Sequence, residues 1–210
     1  MANPWEEISL DDYENHMSLD SVRQLQALDT IMEAQFADYP VSTAMVLGVA
    51  GGNGLGHISR EKYSRVYGID INEGYLRAVS ERYAGLSGVL ECRCLDLVSD
   101  AEILPQAQLL IADLLIEYIG YPAFQRAVRQ AAPEYVSCVI QINAGEGEWV
   151  SDSPYLHAFD RLDEVHHQMA EPELTAAMEE TGYELLLHSS FPLPNGKSLE
   201  RLDYGKKHKA

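Results

Sequence analysis

An α/β fold, with a mostly parallel seven-stranded sheet, helices on both faces and a closing antiparallel strand pair, is predicted for this 210-residue chain by three observations. Short apolar runs alternate with stretches of helical spacing from Met45 to Ala131, which is how strands and helices alternate around a parallel sheet. Three successive runs deliver an acid at or just past their ends, Asp70, Asp96 and Asp113, so one edge of the sheet collects carboxylates. The first run breaks into Gly48, Gly51, Gly52, Gly54 and Gly56. Glycines there let backbone approach a ligand without an intervening Cβ and permit backbone angles that other residues resist.

From Ser9 to Asp38 apolar residues recur at three- and four-residue steps, predicting a short helix over Leu10 to Met17 and a longer one over Ser21 to Phe36. Ser18-Leu19-Asp20-Ser21 supplies starting residues for the second, and Tyr39-Pro40 ends it. The glycine loop follows the first strand, and a helix beginning near Leu55 and finishing by Lys62 offers free N–H groups to an anion. Ser64 to Asn72 reads as the second strand, Glu73 to Tyr83 as a helix, Val89 to Leu97 as the third strand and Gln108 to Asp113 as the fourth. A helix over Tyr121 to Ala131 and a fifth strand over Tyr135 to Ile142 complete the alternation. Asn143 to Glu171, with Gly145 and Gly147, predicts a loop with some helix near Phe159 to Met169. Glu171 to Thr181 is a helix opened by Pro172 and closed by Gly182. Tyr183 to Ser189 and Lys197 to Gly205, joined through Pro194-Asn195-Gly196, predict the antiparallel pair.

The net charge of -18 is uneven, since residues 1–40 carry nine acids against Arg23 alone. Phosphate contacts dominate nucleic-acid affinity, and no Lys/Arg cluster lies near the glycine loop, so DNA and RNA are disfavoured partners. The basic end, Lys206-Lys207-His208-Lys209, reads as a solvated tail. No apolar run reaches the roughly 18 to 20 residues of a membrane span. Three cysteines and a start without a basic-apolar leader fit a cytoplasmic protein.

Val46 to Gly54, Val66 to Asp70, Leu95-Asp96-Leu97, Leu109 to Asp113 and the closing strand pair resemble the ordered motifs of class I S-adenosylmethionine-dependent methyltransferases, over Met45 to Tyr204. The resemblance implies a Rossmann-like sheet (residues 41–210), an N-terminal helical lid (residues 1–40), S-adenosylmethionine as cofactor and methyl transfer to a small-molecule acceptor. It also implies site residues. Gly48, Ala50, Gly52 and Gly54 belong to the loop under the methionine part and ribose. Asp70 with Ile71 takes the ribose, Asp96 with Leu97 holds adenine, Asp113 faces substrate, and Tyr13 belongs to the lid, as core packing or as a cover on the cofactor. The family loop opens with an acid on the strand and a glycine two residues later. Here those places hold Gly48 and Ala50, leaving Glu14 or Glu117 as candidate substitutes.

Two other readings compete. Gly52-Asn53-Gly54-Leu55-Gly56 has GxGxG spacing, whereas dinucleotide sites show GxGxxG, which disfavours a dehydrogenase. A fold relative that binds the cofactor without catalysis is the second. Methyl transfer needs a base only when the nucleophile retains a proton. Candidates are Asp113, Glu117, His16, Tyr118 and His157, with Glu117 equally readable as a helix-terminus carboxylate and His16 as a lid residue. His157, Asp160, His166 and His167 read as a solvated helix and Cys92 and Cys94 as core packing, so no metal site is expected.

Overall fold

The computed structural model describes residues 3–143 and 149–207. Gly145 and Gly147 of the expected loop, and the end of the basic tail at residues 208–210, lie outside them. The strands are β1 (Thr43–Leu47), β2 (Arg65–Asp70), β3 (Leu90–Cys94), β4 (Leu109–Asp113), β5 (Tyr135–Ile142), β6 (Tyr183–Pro192) and β7 (Ser198–Lys206). They form one sheet in the order β3-β2-β1-β4-β5-β7-β6. The first five are parallel, and β7 runs antiparallel between β5 and β6. Strand order reverses between β1 and β4, and ligands of such sheets bind outside the carboxyl ends near that reversal.

Among the described residues five α-helices accompany the sheet: α1 (Leu10–Ser18), α2 (Gln24–Asp38), α3 (Glu73–Arg82), α4 (Ile116–Ala131) and α5 (Glu171–Glu180). The central strands are apolar on both faces because both are covered. Ala44, Val46, Leu109 and Ile111 pack with Met32 and Phe36 of α2 and Leu76 and Val79 of α3. Met45, Leu47, Leu110 and Ala112 pack on the other side with Phe124 and Val128 of α4 and Leu174 and Met178 of α5. Side-chain caps fix two helix starts: Ser9 Oγ accepts from the Asp12 N–H at 3.1 Å, and Asn72 Oδ1 from Gly74 and Tyr75 at 2.8 and 3.2 Å.

Several elements depart from expectation, each for a local reason. The helix expected over Leu55 to Lys62 is one 3-10 turn, Leu55–His57. Helix α2 covers that side of the sheet instead, and Met32 lies so close that a Cβ on Gly54 would come within 2.4 Å of its Sδ. Helix α2 starts at Gln24 rather than Ser21, since Arg23 before it adopts a left-handed φ of 54°. Helix α4 starts at Ile116, five residues before the expected Tyr121, and is interrupted at Gly120 (φ 69°, ψ 163°), two residues ahead of Pro122. Strand β3 ends at Cys94, which leaves Asp96 in the following turn. The helix near Phe159 is a 3-10 segment, Leu156–Glu164. Cys92 is half-buried and packs against the core as expected, whereas Cys94 is exposed; the fully buried cysteine is Cys138 on β5.

Candidate functional site

Two cavities of similar size open beside each other at the carboxyl edge of the sheet. Trp5, Tyr13, Leu114 and Tyr118 line both and form their common wall. The first is built by strand ends. Gly48 and Ala50 come from the end of β1, Asp70 and Ile71 from β2, Leu95, Asp96 and Leu97 from the turn after β3, and Asp113 from β4. Eight of the ten expected binding residues therefore converge, Tyr13 of α1 among them.

Asp70 organises this edge. Its Oδ2 accepts the Ala50 N–H at 2.9 Å and its Oδ1 the Asn72 N–H at 2.9 Å, tying the loop after β1 to the end of β2. Burial pushes its pKa up, and these backbone donors pull it down. Each carboxylate oxygen retains a second lone pair for a ligand hydroxyl. Asp96 is likewise engaged, accepting from the Val98 N–H at 2.8 Å and the Ser99 hydroxyl at 3.2 Å. Ala50 (φ 44°) and Leu114 (φ 52°) hold left-handed conformations that non-glycine residues resist. Such strain costs about 1–3 kcal/mol each and collects at ligand sites.

Gly52 and Gly54 stand apart from the other expected loop residues, since neither lines the cavity. The space beside Gly52 is taken by Tyr83, whose Cε2 would lie 2.7 Å from an added Cβ, as the space beside Gly54 is taken by Met32. Protein packing, not a ligand, excludes a side chain at both. Glu14 is also outside. It lies over Gly51, where an added Cβ would come within 2.1 Å of its Oε1, and pairs with Arg82 at 2.6 Å. The acid inside the cavity near the β1 and β4 ends is Asp113. Gln35 donates to its Oδ1 at 2.9 Å, while its Oδ2 is sealed from solvent without a partner, and burial raises its pKa to about 7.

The second cavity is built by segments that cover the sheet edge. It takes His16, Met17 and Gln24 from the N-terminal region, Glu117 from α4, Gln141 from β5, and Trp149, Phe159 and His166 from the region after β5. Glu117 is 5% exposed; its Oε1 accepts the Gln141 N–H at 2.9 Å and its Oε2 has no partner. Burial raises its pKa to about 7. His16 Nδ1 lies 2.7 Å from Ser153 Oγ and its ring 4.7 Å from that of Phe159, and burial lowers its pKa. Of the expected bases, Asp113 reaches the first cavity, Glu117 and His16 the second, and Tyr118 both. His157 reaches neither, its side chain being 93% exposed. His166 is no solvated helix residue, because its ring stacks on Trp149 at 3.9 Å. Among the described residues no three His, Cys, Asp or Glu side chains converge to hold a metal ion.

Asn3 and Trp5 enter the site without any expectation from their position before the first helix. Asn3 and Glu6 form a reciprocal cap around the short Pro4–Glu6 turn, and Asn72 donates to the Trp5 carbonyl at 2.9 Å. The Trp5 ring meets Tyr13 and Tyr118 edge-on at 6.0 and 4.8 Å. An Asn-Pro-Trp-Glu turn signature ahead of the apolar periodicity is the signal that marks this segment.

The sheet order, the antiparallel β7 and the position of the cavities define the fold of class I S-adenosylmethionine-dependent methyltransferases. Neither a known protein-family profile nor a curated protein matches the sequence. Solved structures do match in three dimensions. N-methyltransferase NodS from Bradyrhizobium japonicum WM9, in complex with S-adenosyl-L-homocysteine, superposes with a TM-score of 0.67 at 11% identity, covering 99% of this chain and 100% of that one. Magnesium protoporphyrin IX methyltransferase from Synechocystis PCC 6803, with bound S-adenosylhomocysteine, gives 0.65 at 12% identity over 94% of each chain. The [4+2]-cyclase SpnF gives 0.65 at 12% identity, covering 90% of this chain and 84% of that one.

Proposed function

We propose that this protein binds S-adenosylmethionine in the cavity at the strand ends and transfers its methyl group to a small molecule held in the adjoining cavity. The observation that carries the reading is the pair of cavities meeting at Trp5, Tyr13, Leu114 and Tyr118 on the carboxyl edge of this sheet. Asp70 takes the ribose hydroxyls and the turn at Asp96 and Leu97 the adenine. Asp113 Oδ2, buried and unpartnered, takes the ammonium of the methionine part, so it supplies the carboxylate that Gly48 cannot. Asp70 fixes the loop from the neighbouring strand. The bound cofactor supplies a positively charged sulfonium whose methyl carbon is open to in-line attack. The chain then contributes alignment of the acceptor and exclusion of water, which carry much of such a rate.

Residues 3–18 act as the cover, while α2 serves the core. A dinucleotide site fits poorly, because the glycine loop runs into a three-residue turn and offers no α-helix N-terminus to a pyrophosphate. One neighbour of the same fold, SpnF, is a [4+2]-cyclase, so binding and methyl transfer need separate tests. S-adenosylhomocysteine raises the melting temperature of the protein, and Asp70→Asn removes most of that rise. Asp70→Asn, which still accepts from one of the Ala50 and Asn72 N–H groups, is preferred to Asp70→Ala, which strands both and costs about 2 kcal/mol of stability. If S-adenosylmethionine and its demethylated product leave the melt unmoved at millimolar concentration while NAD shifts it, the reading fails.

A further inference from the structure

We propose that the methyl acceptor is a primary or secondary amine, held as its ammonium against Glu117 Oε2 inside the aromatic cavity. The inference rests on the methyl-transfer reading above and adds the substrate class. Glu117 is the one acidic side chain lining this cavity among the described residues, and no Lys or Arg lines it. Its Oε1 is committed to the Gln141 N–H, and its Oε2 is buried with nothing to accept from. Leaving such an atom unsatisfied is expensive, and a ligand N–H is what removes the cost.

Around it stand Trp5, Tyr13, Tyr118, Trp149 and Phe159, with the His166 ring stacked on Trp149. Electron-rich ring faces beside a carboxylate favour a cation over a neutral hydroxyl, and an acidic ligand would bring a second anion into a lining that holds no Lys or Arg. The other titratable groups facing the cavity do not compete for the charge. Burial keeps the hydroxyls of Tyr13 and Tyr118 protonated and holds His16 and His166 toward their neutral forms. Lys197 donates its ammonium to the Trp149 carbonyl and is not among the lining side chains.

The same carboxylate prepares the nucleophile. An ammonium has no lone pair, so it must lose a proton before it can attack. Passing that proton to Glu117 Oε2 leaves a neutral amine and a neutral carboxyl group, the pair a buried site accommodates best. The nitrogen lone pair then forms the new N–C bond as the methyl C–S bond breaks, the electron pair of that bond staying on sulfur. The positive charge passes from sulfonium to the methylated ammonium, and Glu117 returns its proton to solvent when the product leaves.

Three probes with a similar apolar body and different heads test the assignment: 2-phenylethylamine, 2-phenylethanol and 3-phenylpropionate. Each is titrated calorimetrically into the full chain with S-adenosylhomocysteine present. The amine binds tightest, and Glu117→Gln, which keeps an acceptor for the Gln141 N–H, weakens it about tenfold or more while leaving the alcohol within about twofold. Equal binding of the alcohol or the carboxylate overturns the proposal, as does unchanged amine affinity in Glu117→Gln or no amine binding at millimolar concentration. The head-group comparison uses the unaltered protein and so does not depend on the variant folding. Titration of S-adenosylhomocysteine alone separates the two claims. If it fails while the amine still binds through Glu117, the cofactor reading falls and the ammonium site stands; if it succeeds while the amine fails, the reverse holds.

Discussion

The two cavities share a wall and a size, yet they come from different parts of the chain. The first has its floor at the ends of β1 to β4, rigid elements whose register is set by the buried faces of the sheet, with Asn3, Trp5 and Tyr13 over it and Tyr118 at its side. The second is assembled from residues 5–24, α4 and the region after β5, which lie over that edge. Each holds one acid with a sealed, unpartnered oxygen, Asp113 in the first and Glu117 in the second.

Substitution of the two acids breaks this symmetry most sharply. Asp113→Asn weakens S-adenosylhomocysteine by about tenfold to a hundredfold, the range of a lost charge-assisted hydrogen bond. Methylthioadenosine, which lacks the amino-acid part, binds the variant as it binds the parent. Equal losses for both ligands would place Asp113 elsewhere on the cofactor. The ligand-free protein carries a matching signature in pH. Burial raises the pKa of both Asp113 and Glu117 to about 7. The folded state therefore keeps protons that the unfolded state has released, and stability falls as pH rises from about 4 through 7. A melting temperature several degrees lower at about pH 8 than at about pH 5, with the slope reduced in Asp113→Asn/Glu117→Gln, is the expected result. A slope of the opposite sign in the parent, or one the double variant leaves unchanged, would show that these two acids do not set it.

The shared wall should respond in both cavities at once. Trp5→Ala removes a ring that meets Tyr13 and Tyr118, and it lowers affinity for S-adenosylhomocysteine and for an acceptor by about fivefold to tenfold each. A loss confined to one ligand would mean that the wall belongs to that side. His157→Ala marks the lower bound, with binding and turnover unchanged, because its side chain stands in solvent.

Legibility in the sequence follows the same division. Strand-length apolar runs ending in Asp70, Asp96 and Asp113 placed the sheet and most of the first cavity, since periodicity and strand-end position are local properties. Gly52 and Gly54 lie outside the first cavity for a physical reason: a glycine is required wherever anything approaches the backbone, and here Tyr83 and Met32 do. The helix expected after the loop was replaced by a turn because α2, distant in sequence, covers that side. Trp5, Trp149 and Phe159 reach the second cavity only through tertiary packing of irregular segments, which leaves no period to read. Glu117 is readable in the sequence as a candidate base, as a substitute for the missing loop acid or as a helix-start carboxylate, and the choice turns on its burial and its empty oxygen, which belong to the folded state alone.

Calorimetric titration of S-adenosylmethionine into the full chain tests the central claim most directly. Saturable binding at one molecule per chain, abolished or strongly weakened by Asp70→Asn and displaced by S-adenosylhomocysteine, is the result this account predicts. No heat with either ligand, or binding that Asp70→Asn and Asp113→Asn leave untouched, would contradict it.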